Sequence, residues 1–177
     1  MAIDRCKYSF PKLSRKVLPD YMRQMRVAIR KPVALRGLGQ AGVGPAVLLD
    51  RMRKQFKHLE NTADFPGCYV LISPRRVPFY VGISRKVASR IIQHLKGTHY
   101  VASLAYRMAC HRFPHNDQPG VAMGKPQFRK AFRDAKAYLS QCSVAVVRID
   151  NALERYLFEP YCAMKLNTSK WNTFETH

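Results

Sequence analysis

The chain has 177 residues, 47% hydrophobic and 24% charged, a globular balance for one domain that excludes a disordered tail, a collagen or a low-complexity scaffold. Its 31 Lys and Arg against 11 Asp and Glu give a net charge of +20, which suits a polyanionic partner, nucleic acid first and an anionic membrane face second. No run of about 18 apolar residues is present to span a bilayer, and residues 1–16 lack the apolar core of a secretory signal.

Residues 1–60 carry 14 Lys and Arg against 4 Asp and Glu and read as a basic helical N-terminal extension, suited to nucleic-acid grip or dimer contact. A helix is predicted over Pro19–Arg30, followed by a Gly- and Pro-rich loop over residues 31–46. The amphipathic helix Val47–Glu60 turns Val47, Leu48, Met52 and Phe56 inward and Arg51, Arg53, Lys54 and Lys57 outward, and residues 61–66 end it.

The second unit, residues 61–177, changes period. Gly67–Ile72 and Val77–Gly82, joined by Ser73-Pro74-Arg75-Arg76, predict a β-hairpin. Helices follow over Ser84–Leu95, Val101–His111 and Gln127–Ser140, with Phe113–Pro126 as a loop. Ser143–Ile149 predicts a strand, and Asp150-Asn151 can cap a last helix from Ala152. The fold class is therefore α+β, a small antiparallel sheet flanked by helices. Five scattered cysteines (Cys6, Cys68, Cys110, Cys142 and Cys162) lack disulfide-framework and zinc-finger spacing and point to reduced thiols of a cytoplasmic protein.

One set of residues carries chemistry. Gly67-Cys68-Tyr69, Tyr80-Val81-Gly82 eleven positions after Tyr69, and Arg90-x-x-x-His94 occur in order over the hairpin and the next helix. Together they resemble the GIY-YIG nuclease superfamily, in particular its compact restriction-enzyme-like branch, over about residues 66–175. Both name motifs depart at the middle residue, where Cys68 and Val81 stand, and both replacements are apolar.

The resemblance implies a metal-dependent endonuclease that hydrolyses DNA phosphodiester bonds. Tyr69 and Tyr80 would orient or deprotonate a water. Arg90 would offer a fixed, charged donor fork to the scissile phosphate, and His94 would assist proton transfer or hold a phosphate oxygen. A carboxylate would hold Mg²⁺ or Mn²⁺ on the leaving-group side. Glu154 and Glu159 both lie in the last helix, each 13 residues before an asparagine, Asn167 or Asn172, so spacing does not choose. Relatives place the Glu about two turns into this helix and end on an aromatic-Asn pair, which favours Glu159 with Asn172 after Trp171. Pro160, next to Glu159, keeps Glu154 with Asn167 open.

Taken singly, each of these residues has an ordinary structural reading, and only their joint order points to a nuclease. Arg51, Arg53, Lys54, Lys57, Arg85, Lys86, Tyr100 and Arg107 are the candidate phosphate- and strand-contacting residues. DNA is the expected partner, and since phosphate gripping carries no sugar information RNA stays open beside it. Symmetric double-strand cleavage would require a homodimer, whereas a single-strand substrate would need one site. The settings that fit are restriction or defence, mobile-element cleavage and DNA processing. The alternative is a catalytically inactive nucleic-acid-binding module on the same fold, and a membrane-surface or ribosome-associated role rests on charge alone. Cys110, His111 and His115 have no second ligand pair to complete a metal site. The Gly37-to-Gly42 string has no preceding strand or downstream acid and is not a dinucleotide site.

Overall fold

The computed structural model describes residues 3–56, 59 and 63–174. A 3-10 turn at Ile3–Arg5 leads into successive helical segments, α1 (Phe10–Lys12), a π-helical stretch (Leu13–Val17) and α2 (Leu18–Arg30). There follow β1 (Val33–Ala34), α3 (Pro45–Gln55), β2 (Gly67–Ile72) and β3 (Pro78–Ser84). Next come α4 (Val87–Lys96), α5 (Ser103–Arg112), α6 (Pro119–Gly124) and α7 (Pro126–Ser140), then β4 (Ser143–Arg148) and α8 (Ala152–Leu166). The strands form one antiparallel sheet in the order β1-β4-β2-β3, so the chain is α+β with helices around a small sheet.

β2 is apolar at every position and buried along its whole length because it lies inside the sheet with helices over both faces. Tyr69 meets His94 of α4 on one face, while Cys68 abuts Cys162 of α8 on the other. The N-terminal residues join the same core. Val33 pairs with Val144, and Met22, Met25 and Ala28 of α2 are buried with the sheet residues.

Two glycines are dictated by close approach. A Cβ on Gly67 would stand 2.3 Å from the Val147 carbonyl oxygen across the β2–β4 pair. A Cβ on Gly82 would stand 2.5 Å from the Tyr69 ring and hydroxyl. Only glycine fits either place.

The α4 start depends on a residue upstream of the hairpin. Asp64 accepts from the Ala88 amide at 2.9 Å, the Ser89 amide at 2.8 Å and the Ser89 hydroxyl at 2.7 Å, satisfying the first-turn donors. α8 starts at Asn151, whose side chain accepts from the Glu154 amide at 3.1 Å. Asp150 instead takes the Arg148 Nε–H at 2.8 Å. The helix runs on through Pro160 and stops at Asn167, which adopts a left-handed φ of 53°.

Several sequence expectations are corrected. The loop over residues 31–46 contains β1, too short for its alternation to show. The loop over Phe113–Pro126 contains α6, begun by Pro119 at its first turn. Val47, expected inward, is 42% exposed, because it sits in the first turn of α3. The expected end of that helix at Glu60, and Lys57 within it, lie outside the described residues. All five cysteines are free thiols, and all but Cys110 are buried. No helix among the described residues is long and apolar enough to cross a membrane.

Asp64→Ala should destabilise the chain by about 1–2 kcal/mol, a loss typical of removing a helix cap. A thermal melt should show a fall of a few degrees, with Asp64→Asn losing less.

Candidate active site

The hairpin register pairs Tyr69 with Gly82 and Leu71 with Tyr80, so both tyrosine side chains leave the same face of the sheet. Their ring centroids are 6.2 Å apart. α4 crosses this face and brings His94 against both. The Tyr69 hydroxyl lies 2.7 Å from His94 Nε2, and the imidazole meets the Tyr80 ring edge-on at 5.8 Å.

Arg90 sits one turn before His94. Its Nη1 donates to the Val101 carbonyl at 2.7 Å and its Nη2 to the Ser103 hydroxyl at 2.9 Å, so the approach to α5 fixes the fork. α8 supplies Glu159, half-buried, and among the described residues no hydrogen bond or ion pair engages its carboxylate. Asn172 closes the group. Its Oδ1 accepts from the Val81 amide at 2.9 Å and its Nδ2 donates to the Val81 carbonyl at 2.7 Å, tying the chain after α8 to β3.

Burial sets the protonation states. It raises the Tyr69 phenol well above its usual value, with Tyr80 adding to the rise and Arg90 opposing it. Burial also raises Tyr80, helped by Glu159 and opposed by Arg90 and Arg107. His94 is pushed down to about 3 by burial and then by Arg90, so it is neutral at pH 7. Its Nδ1 is buried without a partner. Placing the proton on Nε2 leaves only a lone pair unmatched there, which is less costly than an orphaned N–H, so we assign Nε2–H as the donor to the Tyr69 oxygen. Tyr69 is 1% exposed whereas Tyr80 is only partly buried, so of the two residues Tyr80 is the nearer to solvent.

The competing carboxylate is engaged elsewhere. Glu154 is buried against the N-terminal segment, where it accepts from the Tyr21 hydroxyl at 2.6 Å and the Cys6 thiol at 3.8 Å. Asn167 ends α8, and the bonds to Val81 of β3 come from Asn172 instead. The tyrosines, Arg90, His94, Glu159 and Asn172 therefore converge, and Glu154 with Asn167 do not join them.

The basic candidates divide. Arg107 is exposed at this site, donating to the Trp171 carbonyl at 2.6 Å and lowering the Tyr80 phenol. Arg85 and Lys86 are exposed at the turn into α4, and Tyr100, 73% exposed, stacks on His99 at 4.0 Å. Arg51 instead binds the Ala34 and Arg36 carbonyls at 3.0 and 2.9 Å and braces the loop before α3. Arg53 is half-buried, and Lys54 pairs with Asp50 at 3.0 Å. Ser103, which steadies Arg90, has no signal in the sequence, because its role depends on where α5 begins. Cys110 and His115 meet at 3.5 Å, but His111 turns away to pack edge-on against Trp171 at 5.4 Å.

Burial pushes the Glu159 carboxyl from 4.5 up to about 7, so the folded state keeps this proton longer than the unfolded state. Stability is therefore lost as pH rises through that window. Glu159→Gln should be more stable than the parent by about 2 kcal/mol at pH 8, discounted for partial exposure. In urea melts the gap should close below pH 4.5, the ordinary value of the group.

Set beside known proteins, the chain matches no family model, no curated protein and no solved structure.

Proposed function

We propose that the chain is a metal-dependent endonuclease of the GIY-YIG type that hydrolyses DNA phosphodiester bonds. What supports this is the convergence of Tyr69, Tyr80, Arg90, His94 and Glu159, from two strands and two helices, at the β3 border of the sheet.

The residues suit one hard cation. Among the described residues no group of three or more His, Cys, Asp and Glu could hold an ion, so a cation at Glu159 would take most of its shell from water. One carboxylate oxygen suits Mg²⁺ or Mn²⁺, which keep most of their waters. The cation would stabilise charge on the leaving oxygen.

The chain's own groups do the rest. Arg90 binds a non-bridging phosphate oxygen with a guanidinium already fixed by Val101 and Ser103, so little orientation is lost on binding. Tyr80, the less buried phenol, orients the attacking water, and as its own proton passes to solvent its oxygen takes up the water's proton. Arg90 and Arg107 favour negative charge on that oxygen. Tyr69, held by His94, stands behind Tyr80 and lowers its phenol in turn. Asn172 keeps β3 in register with the end of α8. Arg85, Lys86, Lys54 and Tyr100 would extend the grip on the strand, which the net charge of +20 favours.

Labelled single- and double-stranded DNA incubated with Mg²⁺, Mn²⁺ or EDTA tests the proposal. Cutting should require the metal. Glu159→Gln should lower the rate about 100- to 1,000-fold, the scale of one lost transition-state contact, while Glu154→Gln retains it. At limiting metal the rate should rise with pH through about 7, because protonated Glu159 cannot ligate the cation, and saturating metal should flatten that rise. Tight DNA binding without cutting under any metal would overturn the enzyme and favour a binding module.

A further inference from the structure

Beside the proposed site lies a cavity of about 340 Å³ that the chemistry above does not use. Ala163 and Met164 of α8 form one side, and Asn167, Ser169, Asn172 and Phe174 of the following segment form the rest. Met164 is 82% exposed and Phe174 51% exposed, an unusual openness for two large apolar side chains facing one space. Among the described residues no Lys, Arg, Asp or Glu lines it, in a chain of net charge +20. The polar groups at its rim are an amide and a hydroxyl, from Asn167 and Ser169, and neither side chain has a hydrogen-bond partner among the described residues. The Asn172 amide is spent on Val81, so Asn172 is a wall and not a reader.

The position relative to Glu159 is fixed by helix geometry. Ala163 is four residues beyond Glu159, just over one turn or about 6 Å along the same side of α8. A nucleotide whose phosphate meets Arg90 and a cation held by Glu159 can therefore set its base in this cavity. The lining fits such a group: a neutral, flat ring system, covered by an aromatic ring and a thioether, with donors and acceptors at its edge.

We propose that this cavity takes an unpaired nucleobase next to the scissile phosphate, stacked on Phe174, packed by Met164 and read at its edge by Asn167 and Ser169. The inference rests on the nuclease reading and adds a substrate preference to it. A base paired and stacked within a duplex does not offer its face to Phe174. The favoured substrate is therefore single-stranded, or has its base extruded, at that nucleotide.

Oligonucleotides carrying 2-aminopurine at successive positions, bound to the full-length Glu159→Gln chain so that they are not cut, test this by fluorescence and affinity. One position should be quenched on binding, and Phe174→Ala or Met164→Ala should restore its emission. Either substitution should weaken single-strand binding about tenfold, the scale of one lost stacking contact, and leave duplex binding unchanged. Both side chains are exposed, and circular dichroism checks that the variants fold. Strand binding without position-dependent quenching, or equal losses for single strand and duplex, would overturn the base pocket and leave the nuclease reading intact. No binding to any oligonucleotide, even at low salt, would overturn both.

Discussion

The ring of Tyr69 lies on the bare Cα of Gly82, and the arrangement of the site depends on that contact. The two residues are opposite one another in the hairpin, where side chains ordinarily stand next to each other. With nothing on Gly82, the Tyr69 ring occupies the space over β3 and its hydroxyl arrives at His94. Tyr80, two residues before Gly82 on the same face, is then held beside the same imidazole. A slip of β3 by one residue against β2 would send Tyr80 to the opposite face, away from Tyr69. β2 itself lies close against β4 through a second glycine, Gly67, beside the Val147 carbonyl.

On this frame, burial determines what each group can do. Tyr69 and His94 are sealed, so both are neutral at pH 7 and act as fixed dipoles. Glu159 and Tyr80 are only partly covered, which puts the groups free to meet solvent on the open side. The two arginines approach from α4 and α5, each tethered to backbone carbonyl oxygen, so their charge is aimed and not merely present. Such pre-arranged charge costs little reorganisation when an anion arrives.

Much of this was legible in the sequence, where local chemistry dictates local structure. The hairpin, the last helix and its Asn151 cap announce themselves through strand alternation, Gly and Pro punctuation and cap chemistry. The two glycines and two tyrosines could be read as a motif, but the reason for Gly82 could not, because it is a contact between strands. β1 was invisible, since two residues show no period and Val33 becomes a strand only by pairing with Val144. The choice between Glu154 and Glu159 was not available from spacing. It depends on which side of α8 faces β3 and which faces α2, where Tyr21 waits for Glu154. Arg51 shows the same limit: its amphipathic position reads as solvent-facing, yet two carbonyls of a distant loop claim it.

The Asn172 clamp has a consequence for assembly. β3 is the last strand of the sheet, and its outer backbone groups would otherwise offer a template for another strand. The side-chain amide of Asn172 presents one acceptor and one donor to both polar groups of Val81, as a neighbouring peptide would. An added strand would have to break both bonds in the middle of its own ladder. The opposite border is β1, with two residues. Neither border offers a long free ladder, so two copies of this chain would meet through helices and loops, and the sheet would end where each molecule ends.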